Sequence, residues 1–164
     1  MTSRSEGGDP HVLAPGQAPT PFTAAEIRER CAVGKTIRVL VEIEGEAPYH
    51  RVTTYVECDD SGATIRRSTL ALDHSPLAEP EIEHVTWLGL QSHASFPAAD
   101  TTIESERIET ALGELDCLRY TVREGEGEKV LWFAKDLPGM PVRFLTRAGG
   151  EVVMTVSVVE SSLP

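Results

Sequence analysis

Asparagine is absent from this sequence, and lysine is scarce, with three against twelve arginines. That bias reflects coding preference and marks no site. Aromatic residues are only 5% of the chain, so a core has to be built mainly from Val, Leu, Ile and Ala. No apolar run is long enough for a membrane-spanning helix, which excludes membrane insertion by that route. Cysteine is limited to Cys31, Cys58 and Cys117, an odd number too widely spaced for a disulfide framework or a paired metal knuckle. The expected state is three free thiols. Met1 to Pro21 has no apolar stretch of the kind that marks an export signal, so the expected location is the cytoplasm. Cations are outnumbered, 15 against 26 acidic residues, and the net charge of -11 repels phosphate backbones and anionic membrane surfaces. Nucleic acid is thereby excluded as the expected partner.

What is present reads as one domain. A chain of 164 residues suits a single core. Residues 1–22 hold Pro10, Pro15, Pro19 and Pro21 with Gly7, Gly8 and Gly16 and show no hydrophobic period, which predicts a disordered tail. The folded domain is expected over 23–164. Thr23-Ala24-Ala25-Glu26 is a capping box, flanked by Phe22 and Ile27 at staple positions, and Gly34 is a suitable stop, predicting one short helix to about Val33. From Thr36 the period changes to two, with Ile37, Val39, Val41 and Ile43 on one face. Further strands are expected over Tyr49–Cys58, Ala63–Leu72, Glu81–Gln91, Thr101–Thr110, Asp116–Glu124, Glu128–Lys135, Val142–Arg147 and Glu151–Glu160. Asp59-Asp60-Ser61-Gly62, Gly113, Gly125-Glu126-Gly127, Leu137 to Pro141 and Ala148-Gly149-Gly150 supply the turns between them. These short spacers leave no room for the crossovers that a parallel sheet needs. The expected fold class is mainly β: a curved antiparallel sheet or half-open barrel of about nine strands wrapped on one short N-terminal helix.

Two stretches carry a resemblance. Gly113-Glu114-Leu115-Asp116-Cys117-Leu118-Arg119-Tyr120 and Trp132-Phe133-Ala134-Lys135-Asp136-Leu137-Pro138-Gly139-Met140-Pro141-Val142-Arg143-Phe144 resemble an uncharacterised bacterial family. Its pattern is a G-x-x-x-C-x-x-Y strand, a W-F/Y-A strand, a proline-containing turn and a V-x-F/Y strand. The match covers about a third of the chain. It implies a half-barrel wrapped on a helix, similar in architecture to the periplasmic lipoprotein carriers of the Lol type, and it implies no catalytic residues. This chain departs from those carriers in its expected single short helix and in lacking an export signal, so their shuttle role does not transfer.

Candidate sites follow from the alternation. Val41, Trp87, Tyr120, Trp132, Phe144 and Met154 occupy strand positions that can point inward, where they would line a ligand cavity or pack as core against Phe22, Ile27 and Cys31. One short helix has little apolar area to set against the inner face of nine strands, so the concave side is expected to be underfilled. That underfilling favours a non-enzymatic binder of an apolar small molecule or lipid. The competing reading is a protein-interaction module using the acidic runs Glu104–Glu109 and Glu124–Glu128 or an open sheet edge. An enzyme built on the histidines and Cys117 is the third, and it lacks a readable catalytic motif. His50, His74, His84 and His93 have no tight ligand spacing, so no metal is expected, and Glu83 and His84 fall on opposite faces of a strand. Cys117 is expected as a small core residue. Gly125 to Lys129 lacks a third glycine and a following helix and carries two glutamates, so it reads as a hairpin turn, and no cofactor is expected.

Overall fold

Helix formation begins at the capping box. In the computed structural model, which describes residues 9–162, the Thr23 hydroxyl accepts from the Glu26 amide at 3.2 Å and the Glu26 carboxylate accepts from the Thr23 amide at 2.9 Å. Two amides that a helix start leaves free are thus satisfied. The helix α1 (Ala24–Glu29) stops short of Val33. The chain leaves it to dock on a strand: Gly34 donates to the Tyr55 carbonyl at 2.8 Å, and the Lys35 carbonyl accepts from the Tyr55 amide at 2.9 Å.

The described residues form nine strands: β1 (Thr36–Ile43), β2 (Tyr49–Cys58), β3 (Gly62–Leu70), β4 (Glu81–Thr86), β5 (Thr101–Thr110), β6 (Gly113–Glu124), β7 (Gly127–Ala134), β8 (Arg143–Ala148) and β9 (Glu151–Ser162). They make one open antiparallel sheet in the order β4-β3-β2-β1-β9-β8-β7-β6-β5, with β4 and β5 at its edges. The mainly β, nine-stranded, half-open fold expected from the alternation is the fold observed. The β2–β3 turn shows how local chemistry places a strand. The Asp59 carboxylate accepts from the Ser61 amide and hydroxyl and from the Gly62 amide at 2.8 to 3.0 Å. Gly62 then passes so close to β4 that a Cβ there would stand 2.0 Å from the Val85 carbonyl oxygen. Only glycine permits that approach.

Two expectations are corrected. The strand expected to run to Gln91 ends at Thr86, whose hydroxyl caps the Gly89 amide at 2.9 Å and opens a second helix, α2 (Trp87–Ser92). Its buried positions, Trp87 and Gln91 with Ala94 beyond, follow the helical period. The predicted tail is the second correction. Residues 1–8 lie outside the described residues, but 9–22 pack against the sheet, and Ala18, Thr20 and Phe22 are buried. Ala18 donates to the Phe96 carbonyl at 2.8 Å, and Tyr120 donates its hydroxyl to the Pro19 carbonyl at 2.6 Å. Long-range hydrogen bonds to elements behind the chain order a segment whose proline content alone predicts disorder.

Burial concentrates in two clusters. In the first, Phe22, Ile27, Trp87 and Ala94 from the N-terminal segment and the helices meet Tyr55, Ala63 and Ile65 of β2 and β3 and Tyr120, Val122, Leu131 and Phe133 of β6 and β7. Both halves of the sheet thus reach the same filling. The second gathers Ile37, Val39 and Val41 of β1, Val156 and Val158 of β9, and Cys117, Ala134 and Val142. Near it the β5–β6 end of the sheet approaches β9.

Candidate functional site

The six residues proposed for a ligand wall do not form one. Tyr120 is 1% exposed at the centre of the first cluster, edge-on to Phe133 at 5.3 Å between ring centroids. Burial raises its phenol well above the usual range. Trp87 stands on α2, buried, with its indole N–H donating to the Asp59 carbonyl at 2.8 Å. Val41 is buried in the second cluster, with half-buried Met154 packed against it, while Phe144 touches both clusters. Register places Leu131 opposite both Tyr120 and Phe144, so those side chains share a face and Trp132 projects from the other. There the Trp132 indole donates to Glu106 at 2.7 Å and its ring lies under Arg143 at 5.8 Å. Hydrogen bonding from Trp132, followed by the nearby Arg119 charge, holds the Glu106 carboxyl below the usual range. Two members of the acidic run are paired across strands: Arg119 of β6 meets Glu104 at 2.9 Å and Glu106 at 3.1 Å.

The concave side is better filled than one helix would fill it. Gln91, 3% exposed, ties the filling together: its side-chain oxygen accepts from the Ala24 amide at 2.8 Å, and its amide nitrogen donates to the Pro10 carbonyl at 2.9 Å and the Thr20 hydroxyl at 3.0 Å. A void exists elsewhere. At the end of the sheet where β8 starts late, segment 135–142 spans from β7 to β8 and leaves a half-open cleft of about 480 Å³. Its apolar wall is Ile37 of β1, Val158 of β9, Val142, Leu137, and Leu112 and Leu115 from the β5–β6 hairpin. Arg30, Lys35 and Asp136 add charge to it. A smaller hollow of about 140 Å³, lined by Ile27, Tyr55, Leu131 and Phe133, shares Met140 with the cleft.

Lys35 is the unusual member. It is 6% exposed, its ammonium lies 3.7 Å from the Cys31 sulfur and 5.7 Å from the Tyr55 ring centroid, and it has no ion-pair partner among the described residues. Burial, with Cys31 beside it, pushes the Tyr55 phenol far up, so the ring beside Lys35 carries no charge near pH 7. The alternation pattern does not reveal this site, whose wall comes from a turn, a hairpin tip and a strand end. The available signal was the apolar turn Leu137 to Val142 and a lysine preceding an apolar strand.

The other chemical candidates are placed as follows. His50 and His74 stack edge-on at 5.9 Å. Burial, then the charges of Arg38 and His74, lower the His50 pKa, and its Nδ1 is buried without a hydrogen-bond partner. His84 is exposed on β4, and His93 lines the smaller hollow. Among the described residues no group of three or more His, Cys, Asp or Glu is placed to hold a metal. Cys117 is fully buried and burial raises its thiol pKa, the opposite of what an activated nucleophile requires. Residues 125–126 form the β6–β7 turn. No helix among the described residues is long and apolar enough to cross a membrane.

No family model and no curated protein matches the sequence. The structure is similar to the crystal structure of MucB, with a TM-score of 0.55 at 13% identity over 84% of this chain. The likeness is one of fold. It extends over 56% of MucB, so the chain spans little more than half that protein's length.

Proposed function

We propose that this protein is a non-enzymatic binder of an apolar small molecule or lipid, and that the ligand sits in the cleft between β1, β9, the β5–β6 tip and segment 135–142. The observation that carries this reading is the cleft itself: about 480 Å³, walled by Ile37, Leu112, Leu115, Leu137, Val142 and Val158. That volume lies within the range of small-molecule sites, and apolar burial supplies roughly 25 cal/mol per Å². The three free thiols suit a reducing compartment, which supports a cytoplasmic location.

Native mass spectrometry of protein purified gently from its host tests the proposal. A discrete adduct of small-molecule mass, released on denaturation and absent from a Leu115→Trp variant that fills the cleft, is the expected result. A clean apo mass that persists after incubation with host lipid extract would overturn it. That outcome favours a second reading, an interaction module. Edge strand β4 leaves Ile82 64% exposed, and just before it Leu77, 56% exposed, lies along β3 with its amide on the Thr69 carbonyl. A partner segment adding a strand there would cover both.

A further inference from the structure

Burying an ammonium without a paired anion is costly, and proteins normally supply a carboxylate or several oxygen acceptors. Lys35 has neither among the described residues. Its position is fixed by the backbone: the Lys35 amide donates to the Ala32 carbonyl at 3.0 Å and its carbonyl accepts from Tyr55. Lys35 lines the cleft, and its ammonium lies beside segment 135–142, where a Cβ built on Gly139 would stand 3.9 Å from it. The ion-paired cations among the described residues make a contrast. Arg119, Arg107 and Arg67 each meet glutamates on neighbouring strands. Arg30 and Asp136, both exposed and so screened by solvent, add one charge of each sign to the same cleft and leave Lys35 as its buried charge.

From this juxtaposition of an unpaired buried cation and an apolar wall we infer that the cleft selects an amphiphile with an anionic end. The anion is received by the Lys35 ammonium, and the apolar chain lies along Ile37, Leu115, Val142 and Val158. The inference rests on the cleft-binding reading above and adds the ligand's charge. A carboxylate and a phosphate monoester share this chemistry, since a lysine acts on either as a point charge.

The test uses four probes of one chain length, decanoate, decyl phosphate, decanol and decylamine, titrated calorimetrically into the full chain and into Lys35→Met. Methionine keeps the length and apolar contact of the side chain and removes its charge. The wild type should bind at least one anion about tenfold or more tighter than decanol, and decylamine most weakly. In Lys35→Met the anion affinity should fall to that of decanol while decanol affinity holds, which also shows that the variant is folded. Whether decanoate or decyl phosphate gains more identifies the headgroup. Equal binding of decanol and both anions to the wild type would overturn the inference and leave the cleft reading standing. An anion preference that survives Lys35→Met would overturn the assignment to Lys35. Absence of binding by all four would sink the cleft reading, and the inference with it.

Discussion

Gln91 and Lys35 are both buried polar side chains, and the molecule treats them in opposite ways. Around Gln91 the N-terminal segment, α1 and α2 converge, and both ends of its amide find partners at 2.8 to 3.0 Å. Around Lys35 the chain offers a thiol and an aromatic ring and then opens into a cleft. The first region is a completed interface, in which a polar group specifies how three segments meet. The second has a charge whose partner the described residues do not supply. A concave side that leaves only a small hollow and an end of the same sheet that opens into a cleft thus separate what holds the fold from what is available to a ligand.

The strongest way to break this comparison is at the filling. Phe133, 2% exposed, contacts Tyr120 and Phe22 edge-on. Phe133→Ala should cost about 3–5 kcal/mol in urea unfolding. A loss below about 1 kcal/mol would mean that the N-terminal segment and helices are not packed as core.

Next in size is the direct contrast between the two polar groups. Gln91→Ala strands the Ala24 amide and removes the donor to the Pro10 carbonyl, and should destabilise by about 1–3 kcal/mol. Lys35→Met replaces an unpaired buried charge by an apolar side chain and should be neutral or stabilising in the same unfolding assay. Equal losses in the two variants would show that Lys35 has a structural partner after all.

Glu106 provides the smallest and calibrating effect, a charged group with partners on both sides. Its carboxyl is held below the usual range first by the Trp132 indole and then by Arg119. A depressed folded pKa contributes stability above the unfolded value of about 4.3, and that contribution is lost as pH falls through the folded value. The side chain is 38% exposed, so screening limits the effect to below about 1 kcal/mol. Glu106→Gln should flatten the acid limb of the thermal midpoint against pH, and an unchanged limb would mean that these bonds do not form in solution.

Much of the fold was legible because period-two alternation and turn residues act locally. Asp59 to Gly62 closes its hairpin with its own side chain, and the strand starting at Thr101 ends where expected, at Thr110. Trp87 was misplaced because Val85 and Trp87 also fit a strand, although Thr86 carried the capping signal that won. The N-terminal segment was misread for a different reason. Its order comes from Gln91 and Tyr120, 71 and 101 residues from their partners Thr20 and Pro19. The candidate site was least legible, since alternation finds strand faces and this cleft is bounded by a hairpin tip, a turn and strand ends.

By itself the sequence determined the strands, their antiparallel succession, the helix cap at Thr23 and an acidic surface, because each depends on neighbours a few residues apart. Tertiary structure decided that the N-terminal segment is part of the core, that Trp132 faces away from Tyr120, and that Lys35 is buried without a carboxylate beside a cleft. Those outcomes depend on the register and curvature of the whole sheet, which bring together residues whose separation along the chain carries no trace of their contact.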